Sequence, residues 1–181
     1  MSGFVQVRIS GFGGQGIVLA GVLIGRAGVL EGKSVAGSNS YGAQAKGSAC
    51  KAEVVLAERM IDFPHVITAD ILVAMSQGGY EQNKREVKPG GLILFDRGLV
   101  HPEADSKIKQ FGIYATDEAL KKFKTQQPAN LVMLGALIGI TRLVSNQSLG
   151  KAIGLEIPGR FRKINLEALK LGVRLGKQVH G

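Results

Sequence analysis

Apolar and polar residues alternate through Val5-Gln6-Val7-Arg8-Ile9-Ser10, the two-residue period of a strand with one buried face. Gly11-Phe12-Gly13-Gly14-Gln15-Gly16 ends that strand. Ile17 to Leu30 is then too long for a strand and carries good helix formers. The chain therefore opens strand, glycine turn, helix. Inside that helix Gly21, Gly25, Gly28 and Gly32 are spaced four, three and four apart, so they share a face. A glycine in a helix costs about 1 kcal/mol against alanine. Close approach of this face to another backbone would offset that cost.

Further along, residues 34–36 read as a short second strand, and residues 38–48 as a long polar loop. Ala49 to Ala57 is extended and rich in small and β-branched residues. The unbroken apolar runs at 71–75 and 92–95 have the composition of central parallel strands. Residues 80–87 read as helix, Pro89-Gly90-Gly91 as a turn, 111–115 as a further strand and 118–123 as a short helix. Asn130 is positioned to cap a helix over 131–144 that is apolar nearly all round, which places it deep in the core or against a partner. Pro158 precedes a last helix over 163–179, with Ile164, Ala168, Leu171 and Leu175 on one stripe and Lys163, Glu167, Lys170, Arg174 and Lys177 on the other. Strands alternating with helices predict an α/β fold: a three-layer Rossmann-like domain with a mostly parallel sheet and an amphipathic C-terminal helix. Residues 1–181 read as a single domain, with 159–181 as its C-terminal helical segment.

Composition narrows the function. The 181 residues are 45% hydrophobic and 20% charged, an ordinary globular balance that excludes disorder and coiled coil for the chain as a whole. A single cysteine, Cys50, excludes a disulfide framework and any cysteine-ligated iron–sulfur cluster built by this chain alone. The apolar stretches 17–30 and 131–144 are shorter than the ~20 residues a membrane span needs, and no basic segment precedes an apolar run at the start. The expected compartment is the cytoplasm. The net charge is +9, and it is uneven: residues 1–90 hold 9 basic and 7 acidic side chains, residues 91–181 hold 14 and 7. A basic surface attracts an acidic partner, a phosphate-bearing ligand or nucleic acid. The basic clusters at 121–124 and 160–163 match no nucleic-acid module, and tryptophan is absent.

Gly11-x-Gly13-x-x-Gly16, between strand and helix, is the sharpest motif. Its glycines allow a tight turn, close approach of a ligand and close packing, and the helix N-terminus favours an anion. A dinucleotide site also needs an acidic residue about 20 positions on. Lys33-Ser34-Val35-Ala36-Gly37-Ser38 supplies none. Gln15 is a polar contact for any ligand there. Ser76, in Ala74-Met75-Ser76-Gln77-Gly78, resembles a nucleophile elbow, with Asp96 and His101 following in hydrolase order; the plainer role is that its hydroxyl caps the next helix. His65, His101 and His180 are too scattered for a metal site. The loop at 40–48 is long and weakly charged, which suits contact with a ligand or another chain through Tyr41 and Lys46.

Taken together, 9–17, 40–42 with 46–49, 70–77 and 130–136 resemble the gamma subunit of 2-oxoacid:ferredoxin oxidoreductases, in the family's order from about residue 5 to residue 178. Residues 61–64 leading to 73–77 most resemble the 2-oxoglutarate branch, ahead of the pyruvate and branched-chain branches. The resemblance implies a multi-subunit enzyme that decarboxylates a 2-oxoacid, transfers the acyl group to coenzyme A and passes electrons to ferredoxin. It implies alpha and beta partner subunits, with a delta subunit where the complex has one. Thiamine diphosphate, magnesium and the iron–sulfur clusters would sit on those partners, none would be bound by this chain alone, and neither nucleic acid nor membrane would be a partner. Candidate coenzyme A or subunit contacts are Gly11, Gly13, Gly14, Gln15, Gly16, Tyr41 and Lys46, with no catalytic residue. Where the family loop reads Tyr-Gly-Pro-Glu-Ala-Arg-Gly-Gly, this chain has Tyr41-Gly42-Ala43-Gln44-Ala45-Lys46-Gly47-Ser48. The positive charge remains, but the planar arginine fork is lost.

Overall fold

The computed structural model describes residues 3–41, 49–61, 65–104 and 107–180. Strand β1 (Phe4–Phe12) enters the glycine turn and α1 (Ile17–Leu30), followed by β2 (Ser34–Tyr41) and β3 (Ala49–Ala57). Then come β4 (Ala69–Ala74), α2 (Gln77–Asn83), β5 (Val87–Asp96), β6 (Lys109–Ile113), α3 (Ala115–Phe123), α4 (Ala129–Thr141), α5 (Asn146–Glu156) and α6 (Gly159–His180). The six strands form one sheet in the order β2-β3-β1-β4-β5-β6. β1, β4, β5 and β6 pair in parallel, and β3 runs against both β1 and β2. The α/β class and the mostly parallel sheet are as predicted, with helices on both sides.

The two faces are covered unequally. Val7, Ile9, Ile71, Val73 and Leu94 belong to the large core that includes α1 and α4. The opposite side, with Leu72, Ala74, Ile93 and Phe95, carries the short α2 through Tyr80. The apolar α4 is a core helix: eleven of its thirteen residues are buried. It is enclosed on its outer side by α6, and glycines permit the contact. A methyl group at Gly172 or Gly176 would run into the carbonyl oxygens of Val132 or Ala136, and one at Gly135 or Gly139 into the α6 backbone.

Several expectations need correction. β2 does not stop at residue 36; it continues to Tyr41 in register with β3, from Ser34↔Ala57 to Tyr41↔Cys50. Strand pairing overrides the weak β-propensity of its serines and asparagine. The glycine face of α1 meets side chains rather than a backbone: Ala52 opposite Gly21, Val35 opposite Gly25, Leu56 opposite Gly28. Gly32 lies outside that face and ends the helix in a left-handed conformation, φ +78°, with Lys33 N–H bonded to the Gly28 carbonyl at 3.0 Å. Pro89-Gly90-Gly91 is an excursion inside β5, where pairing jumps from Ala69↔Val87 to Ile71↔Leu92. Helix α2 spans Gln77–Asn83 and tightens into a 3-10 turn at Lys84–Glu86. α5, capped by the Ser145 hydroxyl, went unread because Gly150 and Gly154 dilute its helical pattern.

Candidate functional site

The carboxyl ends of β1 and β4 are neighbours. From β1 the chain departs through α1 toward β2 and β3, and from β4 through α2 toward β5. Such a divergence leaves a crevice above the strand ends, the usual ligand position in open α/β sheets. The glycine turn forms one wall. Gly14 (φ +99°) and Gly16 (φ +72°) are left-handed, a conformation that strains any residue with a Cβ. A Cβ at Gly11 would strike the Gln15 amide and Ile17.

Gln15 braces the turn from within. Its Oε1 accepts from the Phe12 N–H at 2.7 Å, and its Nε2 donates to the Met75 carbonyl at 2.8 Å, tying the end of β1 to the end of β4. Asn130 braces it from outside. The sequence suggested a helix cap there, but α4 starts one residue earlier, at Ala129, behind Pro128. The buried Asn130 side chain instead donates to the Gly16 carbonyl at 3.1 Å. Gly16 stands at the N-cap of α1, and no side-chain cap hydrogen bond forms there. Gly13 and Gly14 are exposed beside it.

Tyr41 shares this end of the sheet. It pairs with Cys50, and Cys50 pairs with Gly11, so tyrosine and turn occupy one row across three strands. Gly11 and Tyr41 border a cavity of about 360 Å³ together with Ser10, Lys51, Gly79 and Asn83. Ser10 Oγ donates to the Gly79 carbonyl at 3.1 Å, and Asn83 Nδ2 donates to the same oxygen at 2.8 Å, which locks α2 to β1. Lys51 brings the cavity's cation, held 3.2 Å from Glu53. Nothing in the sequence singled Lys51 out, because Lys51 and Glu53 read as ordinary solvent-facing positions of a strand. Lys46 lies outside the described residues. Burial pushes the Cys50 thiol up, away from the reactive thiolate.

Glu86, which also lines the cavity, pairs with Arg8, a residue that the sequence shows only as a polar position of the alternating first strand. Arg8 is 2% exposed; its Nε donates to Glu53 at 2.8 Å, its Nη2 to the Val66 carbonyl at 3.0 Å, and its Nη1 pairs with Glu86. The guanidinium joins β1, β3, the 3-10 turn and the segment before β4.

Two alternative chemistries do not survive the geometry. Ser76 is buried and its hydroxyl accepts the Gly79 N–H at 3.0 Å, so it is the helix cap. Asp96 spends its carboxylate on Gly98 N–H and on the Thr116 N–H and hydroxyl, while His101 meets Gln77 through its backbone. No triad forms. In a dinucleotide fold the ribose-binding acid ends the strand beside β1. Here antiparallel β3 stands in that place, and β2, one strand further out, ends in Asn39-Ser40-Tyr41. Among the described residues there is no cluster of three or more His, Cys, Asp or Glu able to hold a metal. One cysteine in the chain does not fit an iron–sulfur cluster.

The fold and the site define a Rossmann-like α/β domain with a braced glycine turn at the carboxyl end of a mostly parallel sheet. Residues 6–175 match the family model for pyruvate ferredoxin/flavodoxin oxidoreductase, and the chain belongs to that family. It is 43% identical over 179 residues to the 2-oxoglutarate synthase subunit KorC of Methanocaldococcus jannaschii, covering 96% of this chain and 95% of that protein. It is 37% identical to the KorC of Methanothermobacter thermautotrophicus, over 94% of both chains. The crystal structure of the gamma subunit of a keto/oxoacid ferredoxin oxidoreductase from Geobacter sulfurreducens superposes with a TM-score of 0.85 at 30% identity, over 96% of this chain and 99% of that one. A 2-oxoglutarate:ferredoxin oxidoreductase from Magnetococcus marinus, solved with 2-oxoglutarate, coenzyme A and succinyl-CoA, matches with a TM-score of 0.88 at 26% identity. This chain spans 98% of its own length but 32% of that larger chain, so the same fold recurs there within a longer polypeptide.

Proposed function

We propose that this chain is the gamma subunit of a multi-subunit 2-oxoglutarate:ferredoxin oxidoreductase. The assembled enzyme decarboxylates 2-oxoglutarate oxidatively, transfers the acyl group to coenzyme A and delivers the electrons to ferredoxin. The observation that carries this reading is the end-to-end correspondence with 2-oxoglutarate synthase subunits at up to 43% identity. The ketoisovalerate and pyruvate relatives align at 29–31%.

In this reading the chain supplies shape and binding surface in the cytoplasm, and alpha and beta subunits carry thiamine diphosphate and the chemistry. Gly11, Gly13, Gly14, Gln15 and Gly16 present the uncapped N-terminus of α1 to the diphosphate of coenzyme A. Tyr41 and Lys46 are the further candidate contacts, and Lys46 offers a point charge where the family arginine is a fork. The chain alone turns over no oxoacid.

The test is purification of the tagged chain from its own cells. The expected result is co-purification of alpha and beta subunits with a cluster-bearing partner. That complex should reduce ferredoxin in a reaction needing both 2-oxoglutarate and coenzyme A, and respond less to pyruvate or 2-ketoisovalerate. Lys46→Glu should raise KM for coenzyme A or weaken assembly; unchanged kinetics and unchanged assembly would remove Lys46 from the site. Oxoacid turnover by the isolated chain would overturn the whole reading.

A further inference from the structure

The sheet face that carries α2 has a second cavity, at the end of β1 away from the glycine turn. Phe4 stands opposite Ala57 and Gln6 opposite Val55, so these four side chains point to one face. They border a cavity of about 900 Å³ together with Met60, Ile61 and Ile67 from the chain between β3 and β4, and none of its described lining residues belongs to a helix. That volume lies within the roughly 300–1,000 Å³ of small-molecule sites. Met60 and Ile67 are 85% and 67% exposed, so the apolar wall extends to the rim.

Gln6 is the polar residue out of place in this wall. It is 8% exposed, and its side-chain amide makes no hydrogen bond among the described residues. No fully enclosed side-chain polar atom there lacks a partner, so the free amide opens onto the cavity it lines. A buried amide without a partner is costly, and a ligand that bonds it recovers that cost. The Gln6 backbone N–H donates to Asp70 Oδ2 at 2.7 Å, and Lys88 Nζ donates to Asp70 Oδ1 at 2.9 Å while lying 5.5 Å over the Phe4 ring. Asp70 thus ties the backbone of Gln6 to an ammonium group that also borders the cavity and has donors to spare.

The charges select the ligand. Glu58 at the rim is neutralised by Lys33, and Asp70 by Lys88. Arg59, also at the rim, has no acidic partner among the described residues, which leaves the site positive. An apolar cavity with an amide donor and surplus positive charge fits a molecule with an apolar body and a single anionic head. We propose that this cavity binds a monocarboxylic acid with an unbranched apolar chain, its carboxylate accepting from Gln6 Nε2 and Lys88 Nζ and its chain lying along Val55, Ala57 and Ile67. The site is separate from the glycine turn and does not rest on the function proposed above.

Calorimetric titration of the full chain with decanoate, kept below its micelle concentration, tests this, with decanol as the uncharged control. Saturable binding of decanoate is expected, with decanol at least about tenfold weaker. Gln6→Leu keeps the size of the side chain and removes the amide. It should weaken decanoate about tenfold and raise the melting temperature of the unliganded chain, because a buried polar group without a partner is replaced by an apolar one. Lys88→Met should weaken decanoate to a similar extent. The proposal is overturned by an absence of saturable decanoate binding, by decanol binding equally well, or by a folded Gln6→Leu chain that binds decanoate as the native chain does.

Discussion

Arg8 shows how much a single buried charge can organise. Removing one partner of a buried ion pair typically costs ~3–5 kcal/mol, because the other charge stays behind. Glu53 is only 12% exposed, although Lys51 remains to pair with it. Arg8→Met should therefore destabilise the fold by about 3 kcal/mol in urea unfolding, near the lower end of that range. Adding Glu53→Gln should recover part of the loss. At the turn, Gly16→Ala forces a Cβ into a left-handed residue and onto the Asn130 amide. A loss of ~1–3 kcal/mol is expected, with Asn130→Ala alone costing about 1 kcal/mol for the lost hydrogen bond. Glu31 adds a pH dependence. Burial alone would push its carboxyl up, but hydrogen bonds from Ser145 and Ser148 and the charge of Lys33 outweigh this and hold it below the usual glutamate range. The folded-state value is depressed, so its contribution is present above the unfolded glutamate pKa of ~4.3 and disappears as pH falls through the folded value. Glu31→Gln should flatten that part of the acid-unfolding curve.

Among the elements, α4 and α6 set a contest between local propensity and packing. In an isolated helix Gly172→Ala would gain ~1 kcal/mol. Here the added methyl meets the Val132 carbonyl, and the two backbones must separate. Net destabilisation of ~1–3 kcal/mol is expected by thermal unfolding; a stabilised variant would mean that the helices are not in backbone contact. The extents of α1 and β3 were legible because their patterns are long and unambiguous. The last five residues of β2 were not legible, since serine, glycine and asparagine say loop until β3 lies beside them. Asn130 was misassigned for a related reason. Asparagine near a helix start ordinarily caps it, and only the docking of α4 against α1 reveals a side chain bonded to Gly16.

For the whole molecule, strand order argues against a dinucleotide role: the glycine turn alone would allow one, but insertion of β3 beside β1 removes the place where a ribose-binding acid would stand. Calorimetry of the isolated chain with NAD or NADP should show no binding at millimolar ligand, ~4 kcal/mol of affinity. Saturation at lower concentration would restore the nucleotide reading.

The glycine turn, the parallel-strand cores, the apolar α4, the single cysteine and the family motifs are local or compositional, so the chain carries them openly. They carried the α/β class and the family resemblance. Which residues meet across the sheet is a long-range matter, decided by pairing and burial rather than by neighbours in sequence. That is why the Arg8–Glu53–Glu86 network, the Gln15 and Asn130 braces and the row linking Tyr41 to Gly11 emerged only when the strands were assembled.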